Sequence, residues 1–133
     1  LEITETVFRA GIGSLRQALA ALKATGVCLV VDDFGTGYSS LVSFSEADFD
    51  GLKVDRGFIT DLHSNSRHRA IVRTIVQFAR DLGLSLVAEG VETELQAQIL
   101  RELGCDLVQG FRYAAPLPAT ALDAWLADPS GIR

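Results

Sequence analysis

Residues 27–37 read Val27-Cys28-Leu29-Val30-Val31-Asp32-Asp33-Phe34-Gly35-Thr36-Gly37, an apolar run that ends directly in two aspartates and a glycine-containing loop. A short, valine-rich apolar run of this kind is typical of a strand in a parallel sheet that is covered on both faces. Adjacent aspartates at the end of such a strand are costly to keep ionised unless a cation or a proton compensates them. The stretch therefore predicts an α/β fold with a charged site at the end of a strand.

The same pattern recurs at three later points in the chain. Apolar runs end in polar residues within 52–55, 84–92 and 106–110. Parallel strands place their carboxyl ends at one edge of a sheet, which is where α/β folds keep their chemistry. We therefore expect one site to collect the polar residues that end these runs: Asp32, Asp33, Lys53, Asp55, Glu89 and Gln109.

Amphipathic segments separate these strands. Apolar residues at helical spacing predict four helices, which begin near Ser14, after a polar loop over 61–69, at a capping box of Thr93 with Gln96, and shortly before Trp125. A glycine ends each of the first three, and the next apolar strand follows at once; these glycines are Gly26, Gly83 and Gly104. A repeated helix-and-strand unit requires parallel strands that are joined by right-handed crossovers.

The number of strands predicts part of a barrel. With residues 1–3 counted, about five strands are present, whereas a closed (β/α)8 barrel requires eight strands in roughly 250 residues. We therefore predict an α/β fold, an incomplete (β/α)8 TIM-type barrel with about five parallel strands and intervening helices. Residues 38–44 are predicted to form a short helical turn. The first residue is Leu1 and not Met, so we expect a fragment of a longer protein.

The composition predicts one folded unit and excludes several classes of partner. The chain has 133 residues, is 48% apolar and carries a formal net charge of −5. That length suffices for one core, while the acidic balance leaves no basic face for duplex nucleic acid or anionic lipid. A phosphate-bearing partner would need metal ions. With no apolar run of membrane-spanning length and no secretory signal, we expect no membrane contact from this segment and a cytoplasmic location, although other regions could anchor the parent.

The cysteines and histidines are not predicted to take part in chemistry. Cys28 and Cys105 lack the spacing of a metal or redox motif and are expected as small core residues in a reducing compartment. His63 and His68 lie in a polar loop and are expected to be solvated. Trp125 and the phenylalanines are interpreted most simply as core.

The paired aspartates permit two interpretations. An isolated Asp32-Asp33 pair would be a solvated turn or a helix cap, but carboxylates from several strand ends suit two hard divalent cations, and the repeated placement favours a cation site. Successive strand residues face opposite sides, so both aspartates can reach one site only if the strand stops before them.

The other polar residues also have a structural and a functional interpretation. Lys53 and Asp55 form an ion pair at a strand end, or Lys53 orients a water molecule or meets a phosphate oxygen. Glu89 and Glu92 are acids near a helix amino terminus, although Glu89 directly ends a buried strand, which favours a functional role. For Glu92 both the structural and the functional interpretation are retained. Gln109 either satisfies backbone groups or contacts a ligand.

Five ordered blocks of this sequence resemble the EAL-domain family of cyclic di-GMP phosphodiesterases. The blocks are residues 1–6, 32–41 (Asp32-Asp33-Phe34-Gly35-Thr36-Gly37-Tyr38-Ser39-Ser40-Leu41), 52–55, 88–93 and 109–111. The resemblance runs from the first residue to Pro118. It implies that residues 1–133 are the C-terminal portion of one EAL-type barrel domain, which hydrolyses cyclic di-GMP to the linear dinucleotide with Mg²⁺ or Mn²⁺.

The resemblance also implies a role for each matching residue. The metal ligands would be Glu2, Asp32 and Asp33. Glu89 would act on the metal-bound water as ligand or general base, and Lys53 would contact the attacking water or the phosphate. Three residues would line the substrate pocket: Asp55, Glu92 and Gln109. Glu5 would anchor the regulatory loop, which includes Phe34, Gly35, Thr36 and Gly37 and couples dimerisation to activity, so a homodimer and upstream sensory or regulatory domains are expected.

One departure from the family pattern limits the expectation. The Glu-Ala-Leu signature and a metal-ligating asparagine lie upstream of the Glu2 motif in the family, and this chain does not contain them. Activity is therefore expected of the intact parent. Two alternatives are an inactive EAL-like receptor or interaction module for cyclic di-GMP, and a phosphoacceptor receiver domain with a doubly wound sheet. Against the receiver, Lys53 precedes Asp55 by two residues on one strand.

Overall fold

The computed structural model describes residues 1–6, 12–37, 48–105 and 107–127, with the side chains of all these residues except 12–14. Five strands form one sheet: β1 (Glu2–Thr4), β2 (Val30–Phe34), β3 (Gly51–Val54), β4 (Ser85–Glu89) and β5 (Leu107–Gln109). Within these described ranges, five helices accompany the strands: α1 (Ile12–Lys23), α2 (Arg56–Ile59), α3 (Ser66–Asp81), α4 (Glu94–Leu103) and α5 (Ala119–Ala127). The prediction of about five strands with intervening helices is confirmed.

The strands lie side by side in the order of the chain, β1-β2-β3-β4-β5, and all four pairings are parallel. Chain order is the order of a (β/α)8 barrel, whereas a doubly wound receiver places its first strand between the second and the third. The sheet is open in the described part of the chain, with β1 and β5 at its edges. The incomplete barrel is confirmed, and the receiver alternative is wrong.

The hydrophobic core lies on the helix side of the sheet. Leu52 and Val54 of β3 are fully buried, and they belong to the same cluster as the inward stripe of α3 and the alternate residues of β4. That stripe and those residues are Val72, Ile75, Val76, Ala79, Leu86 and Ala88. Because side chains alternate along a strand, the other face of β3 and β4 carries Lys53 and Glu89. The burial of one face thus directs the polar residues to the other.

The helices end as predicted but begin elsewhere in two cases. Gly26, Gly83 and Gly104 all have the left-handed backbone that favours glycine, with φ of +87°, +68° and +85°. Helix α1 begins at Ile12, so the start at Ser14 is wrong. Helix α3 begins at Ser66, because the Asn65 side chain accepts hydrogen bonds from the Arg67 and His68 amides. The predicted loop over 61–69 is therefore four residues too long.

Helix α4 begins with the predicted capping box, which is confirmed. The Thr93 hydroxyl accepts from the Gln96 amide at 3.2 Å, and the Gln96 side-chain oxygen accepts from the Thr93 amide at 2.9 Å. The buried Gln96 amide group also donates to the carbonyls of Ile59 and Thr60 at the end of α2. One side chain therefore caps α4 and joins it to α2.

Replacing Thr93 by alanine is expected to lower the free energy of unfolding by about 1 kcal/mol, because one helix amide loses its acceptor. Urea unfolding of the intact protein measures the change. Thr74→Ala is the matched control, since the Thr74 hydroxyl lies mid-helix and donates to the Ala70 carbonyl four residues earlier. The control is expected to change stability by less than about 0.5 kcal/mol, and equal losses in both variants would contradict the capping role.

Several burial expectations are wrong. Cys28 is exposed, whereas Cys105 is buried as predicted. His68 is half-buried against Phe58 and not fully solvated. Phe111 is 70% exposed, and Trp125 lies only half-buried in α5, which has no buried residue. The predicted turn over 38–44 and Asp106 lie outside the described residues. No helix in the described ranges combines the length and apolar character needed to cross a membrane.

Candidate active site

Lys53 lies at the centre of the candidate site, with its side chain only 8% exposed. Its ammonium contacts Glu89 Oε1 at 2.6 Å, Glu2 Oε1 at 2.8 Å and Asp32 Oδ1 at 3.4 Å. These three carboxylates come from β4, β1 and β2, the strands around β3. Among the described ion pairs, none joins Lys53 to Asp55, so the simple pair at the end of one strand is wrong.

The ammonium of Lys53 remains charged despite its burial. Removal from water lowers the pKa of this side chain, but hydrogen bonds to Glu2 and Glu89 and the charges of Glu89 and Asp32 act in the opposite direction. The sum raises the pKa of Lys53 above its ordinary value. A permanent positive charge is therefore fixed between three carboxylates.

A bulge in β2 brings both adjacent aspartates to the site. The register between β2 and β3 shifts between Val31 and Phe34, and Asp33 has a left-handed φ of +56°. The sequence analysis required the strand to stop before the aspartates if both were to reach one site. Strand β2 instead continues to Phe34, and the bulge rotates one aspartate relative to the other. As a result, ligand oxygens of Asp32, Asp33 and Glu89 all lie within 4.8 Å of one another.

The pKa of the Asp33 carboxyl is raised in this cluster. Burial, the neighbouring charges of Asp32 and Asp55, and a hydrogen bond with the Asp55 side chain raise its pKa, whereas the charge of Lys53 lowers it. The ionised form of Asp33 is thus disfavoured in the folded chain. The cluster contains more carboxylates than ammonium groups, and every carboxylate offers oxygen atoms as ligands. It therefore has the ligand chemistry of a site for hard divalent cations.

Asp33→Asn is expected to stabilise the protein at pH 7 in the presence of EDTA, because asparagine removes a disfavoured charge and tolerates a left-handed φ. Since the folded pKa of Asp33 lies above its ordinary value of 3.8, the penalty disappears as protons bind. The advantage of the variant should therefore shrink as the pH falls from 7 to about 4.

Thermal unfolding of both forms of the intact protein across this pH range measures the difference. The pKa values of Asp50 and Asp61 are lowered, by the Leu29 amide and by the Asn65 side chain respectively. The stability that Asp50 and Asp61 contribute is lost only as the pH falls towards their lowered pKa values. Because this loss is the same in both forms of the protein, it cancels from the difference. An advantage that stays constant or grows towards pH 4 would contradict the assignment.

The loop after β2 is held by a buried glutamate. Glu5 is 4% exposed, and its Oε2 accepts hydrogen bonds from the amides of Gly35 and Gly37, both at 3.0 Å. The Thr36 amide and hydroxyl donate to the carbonyl of Asp33, at 3.3 and 2.9 Å. The predicted loop residues, Phe34 to Gly37, are therefore joined to Glu5 on one side and to Asp33 on the other. Their regulatory role remains a prediction.

The remaining predicted residues lie around this centre at different distances. Asp55 caps α2, where its Oδ1 accepts from the Gly57 amide at 2.8 Å, and it also contacts Asp33. Exposed Glu92 and Gln109 line one cleft together with Glu89. The structure thus brings Glu2, Asp32, Asp33, Lys53, Asp55 and Glu89 together. Glu92 and Gln109 form the wall of an adjoining cleft.

Two residues of this cleft were missed by the sequence analysis. Arg56 and Phe111 line it along with Glu89, Glu92 and Gln109. Phe111 follows Gln109-Gly110, so its position next to a strand end offered a signal, but an aromatic residue suggested core. Gly110 allows the close passage there, since a Cβ at this position would lie 2.1 Å from the Val91 carbonyl oxygen.

The family model described as the EAL domain matches residues 1–116 of the chain. Cyclic di-GMP phosphodiesterase NbdA of Pseudomonas aeruginosa is 45% identical over 126 residues, which are 95% of this chain and 16% of NbdA. The chain therefore spans about one sixth of that relative.

Two solved structures share the fold at substantial identity. The structure of the PaMucR phosphodiesterase in complex with c-di-GMP is 46% identical with a TM-score of 0.87, over 92% of this chain and 49% of that one. The manganese/cy-diGMP complex of Klebsiella pneumoniae BlrP1 is 39% identical with a TM-score of 0.81, over 86% of this chain and 29% of that one.

Proposed function

Because the chain belongs to the EAL domain family, we propose that it is the C-terminal portion of a domain that hydrolyses cyclic di-GMP to the linear dinucleotide. The observation that carries the proposal is the carboxylate cluster around Lys53, to which β1, β2 and β4 contribute. The names of NbdA and PaMucR support the reaction, since both are phosphodiesterases. The intact protein is the proposed enzyme.

We assign Mg²⁺ or Mn²⁺ to the carboxylates of Glu2, Asp32, Asp33 and Glu89. The donor set fits, because it contains only oxygen atoms and more negative charge than Lys53 alone neutralises. The raised pKa of Asp33 is the expected mark of a cluster that lacks positive charge. Bound divalent cations would neutralise the phosphodiester and lower the pKa of coordinated water. The manganese complex of BlrP1 supports this choice of ion.

The protein residues act by position and charge. Glu89 accepts the proton of the attacking water as general base, or ligates a cation, and Lys53 orients that water or the phosphate oxygen, since its ammonium is fixed 2.6 Å from Glu89. Asp55, Glu92 and Gln109 contact the substrate. Glu5 and the loop from Phe34 to Gly37 transmit dimerisation to the site, in a homodimer with upstream regulatory domains.

The direct test incubates the intact protein with cyclic di-GMP and either Mg²⁺ or Mn²⁺ and separates the products by liquid chromatography. The expected result is the linear dinucleotide, formed with either ion and abolished by EDTA. Binding of cyclic di-GMP by calorimetry without any product would identify a receptor and contradict the proposed enzyme. Neither binding nor hydrolysis would contradict the assignment of the substrate.

A further inference from the structure

The Phe58 ring occupies the place where a side chain of residue 35 would lie, so only glycine fits there. Gly35 has a φ of +99°, and a Cβ at this position would lie 2.9 Å from Phe58 Cε2 and 3.3 Å from Phe58 Cζ. The amide of the same glycine donates to Glu5 Oε2 at 3.0 Å. The turn that follows Asp33 therefore meets both a carboxylate and an aromatic ring.

The ring of Phe58 belongs to a helix that cannot position it alone. Helix α2 has four residues, far fewer than an isolated helix needs. The second support of the ring is His68 in the first turn of α3, at a centroid distance of 5.3 Å and an interplanar angle of 77°. This edge-to-face arrangement is a favourable geometry for two aromatic rings.

The orientation of His68 is itself fixed by hydrogen bonds. Its Nδ1 forms a hydrogen bond with Asp61 Oδ1, and Asp61 Oδ2 accepts a hydrogen bond from the Asn65 side chain at 2.9 Å. Asn65 in turn caps α3 and accepts from the His68 amide. Hydrogen bonds among His68, Asp61 and Asn65 thus fix the orientation of the imidazole ring, and the imidazole ring supports the ring of Phe58.

We infer that Phe58 is a positioning residue for the acidic site, held in place by His68. Its ring supports Gly35, two residues after Asp33, and Thr36 of the same turn donates both its amide and its hydroxyl to the Asp33 carbonyl. A shift of the ring therefore shifts the turn that carries Asp33. The effect on turnover rests on the proposed function, whereas the effect on the turn does not.

Hydrogen exchange of the intact protein tests the inference without reference to activity. Phe58→Leu retains an apolar side chain but removes the flat ring, and His68→Ala removes only the support of that ring. Both variants are expected to exchange the amides of Gly35 and Gly37 about tenfold faster, because their bonds to Glu5 open more often. The amides of β4 should remain unchanged.

Two matched controls separate positioning from general loss of packing. Phe49→Leu shortens a buried phenylalanine beside the opposite end of β3, and His63→Ala removes an exposed histidine from the turn before α3. Both controls should leave the exchange of Gly35 and Gly37 as in the wild type. Unchanged exchange in Phe58→Leu and His68→Ala would overturn the inference, as would an equal increase in Phe49→Leu.

Kinetics provide the second readout where the wild type is active. Phe58→Leu is expected to lower kcat about tenfold or more with less than about twofold change in KM, because misplaced carboxylates affect the reacting geometry. An inactive wild type would contradict the proposed function, and hydrogen exchange would still decide the positioning role. If Phe58→Leu does not fold, His68→Ala decides it, since that histidine is half-buried at the surface.

Discussion

The variant Asp32→Asn of the intact protein is expected to lose turnover of cyclic di-GMP by a factor on the order of 10³, a loss comparable to that of a central electrostatic group. Asp32 Oδ1 lies 3.4 Å from the Lys53 ammonium, and the side chain belongs to the cluster with Asp33 and Glu89. Asparagine keeps the size of the side chain but removes the charge that a divalent cation requires. The affinity for the substrate should fall less than the rate.

Steady-state kinetics at saturating Mn²⁺ and calorimetric binding of cyclic di-GMP measure the two effects separately. Asp123→Asn is the matched control, because Asp123 is an exposed aspartate in α5. The control should retain wild-type turnover. Near-normal turnover in Asp32→Asn would remove Asp32 from the proposed set of metal ligands.

Lys53→Met is expected to lower kcat by about 10²-fold or more and to destabilise the metal-free protein by about 2 kcal/mol. The ammonium compensates Glu2, Asp32 and Glu89, and its removal leaves partly buried carboxylates facing one another. Because Mn²⁺ would restore positive charge, the loss of stability should be smaller with saturating Mn²⁺ than with EDTA. Urea unfolding under both conditions measures the difference.

Lys23→Met is the control for the loss of a lysine in an ion-pair network. Lys23 pairs with Asp48 and Asp50, and it contacts none of the carboxylates around Lys53 in the described structure. Its turnover should stay at the wild-type level, and Mn²⁺ should not reduce its loss of stability. A metal-free Lys53→Met protein that is as stable as the wild type would show that the ammonium is not required to compensate the cluster.

The sequence predicted the order of elements well because each boundary has a local cause. Glycines end three helices, a capping box begins α4, and valine-rich runs form the strands. Helix α2 was missed because four residues carry no periodic pattern. The start of α3 was missed because the polar residues 66–69, interpreted as loop, form the first turn of the helix beyond the Asn65 cap.

The site was predicted in outline, and the details were set by neighbouring strands. Strand ends indicated which residues would meet, but the pairing of Lys53 with Glu2, Asp32 and Glu89 depends on three strands that are distant in sequence. The convergence of the two aspartates depends on the register of β2 against β3. A local pattern cannot specify a cross-strand bulge, so the expected strand end before Asp32 was wrong.

The position of Mn²⁺ in crystals of the intact protein, determined from its anomalous scattering, tests the account most directly. Carboxylates from separate parallel strands are proposed to share divalent cations, so anomalous peaks should lie within about 2.5 Å of oxygens of Glu2 on β1 and of Asp32 and Asp33 on β2. Lys53 and Glu89 should border the same site. A protein that cleaves cyclic di-GMP while its Mn²⁺ lies elsewhere, with these aspartates free of metal, would contradict the account.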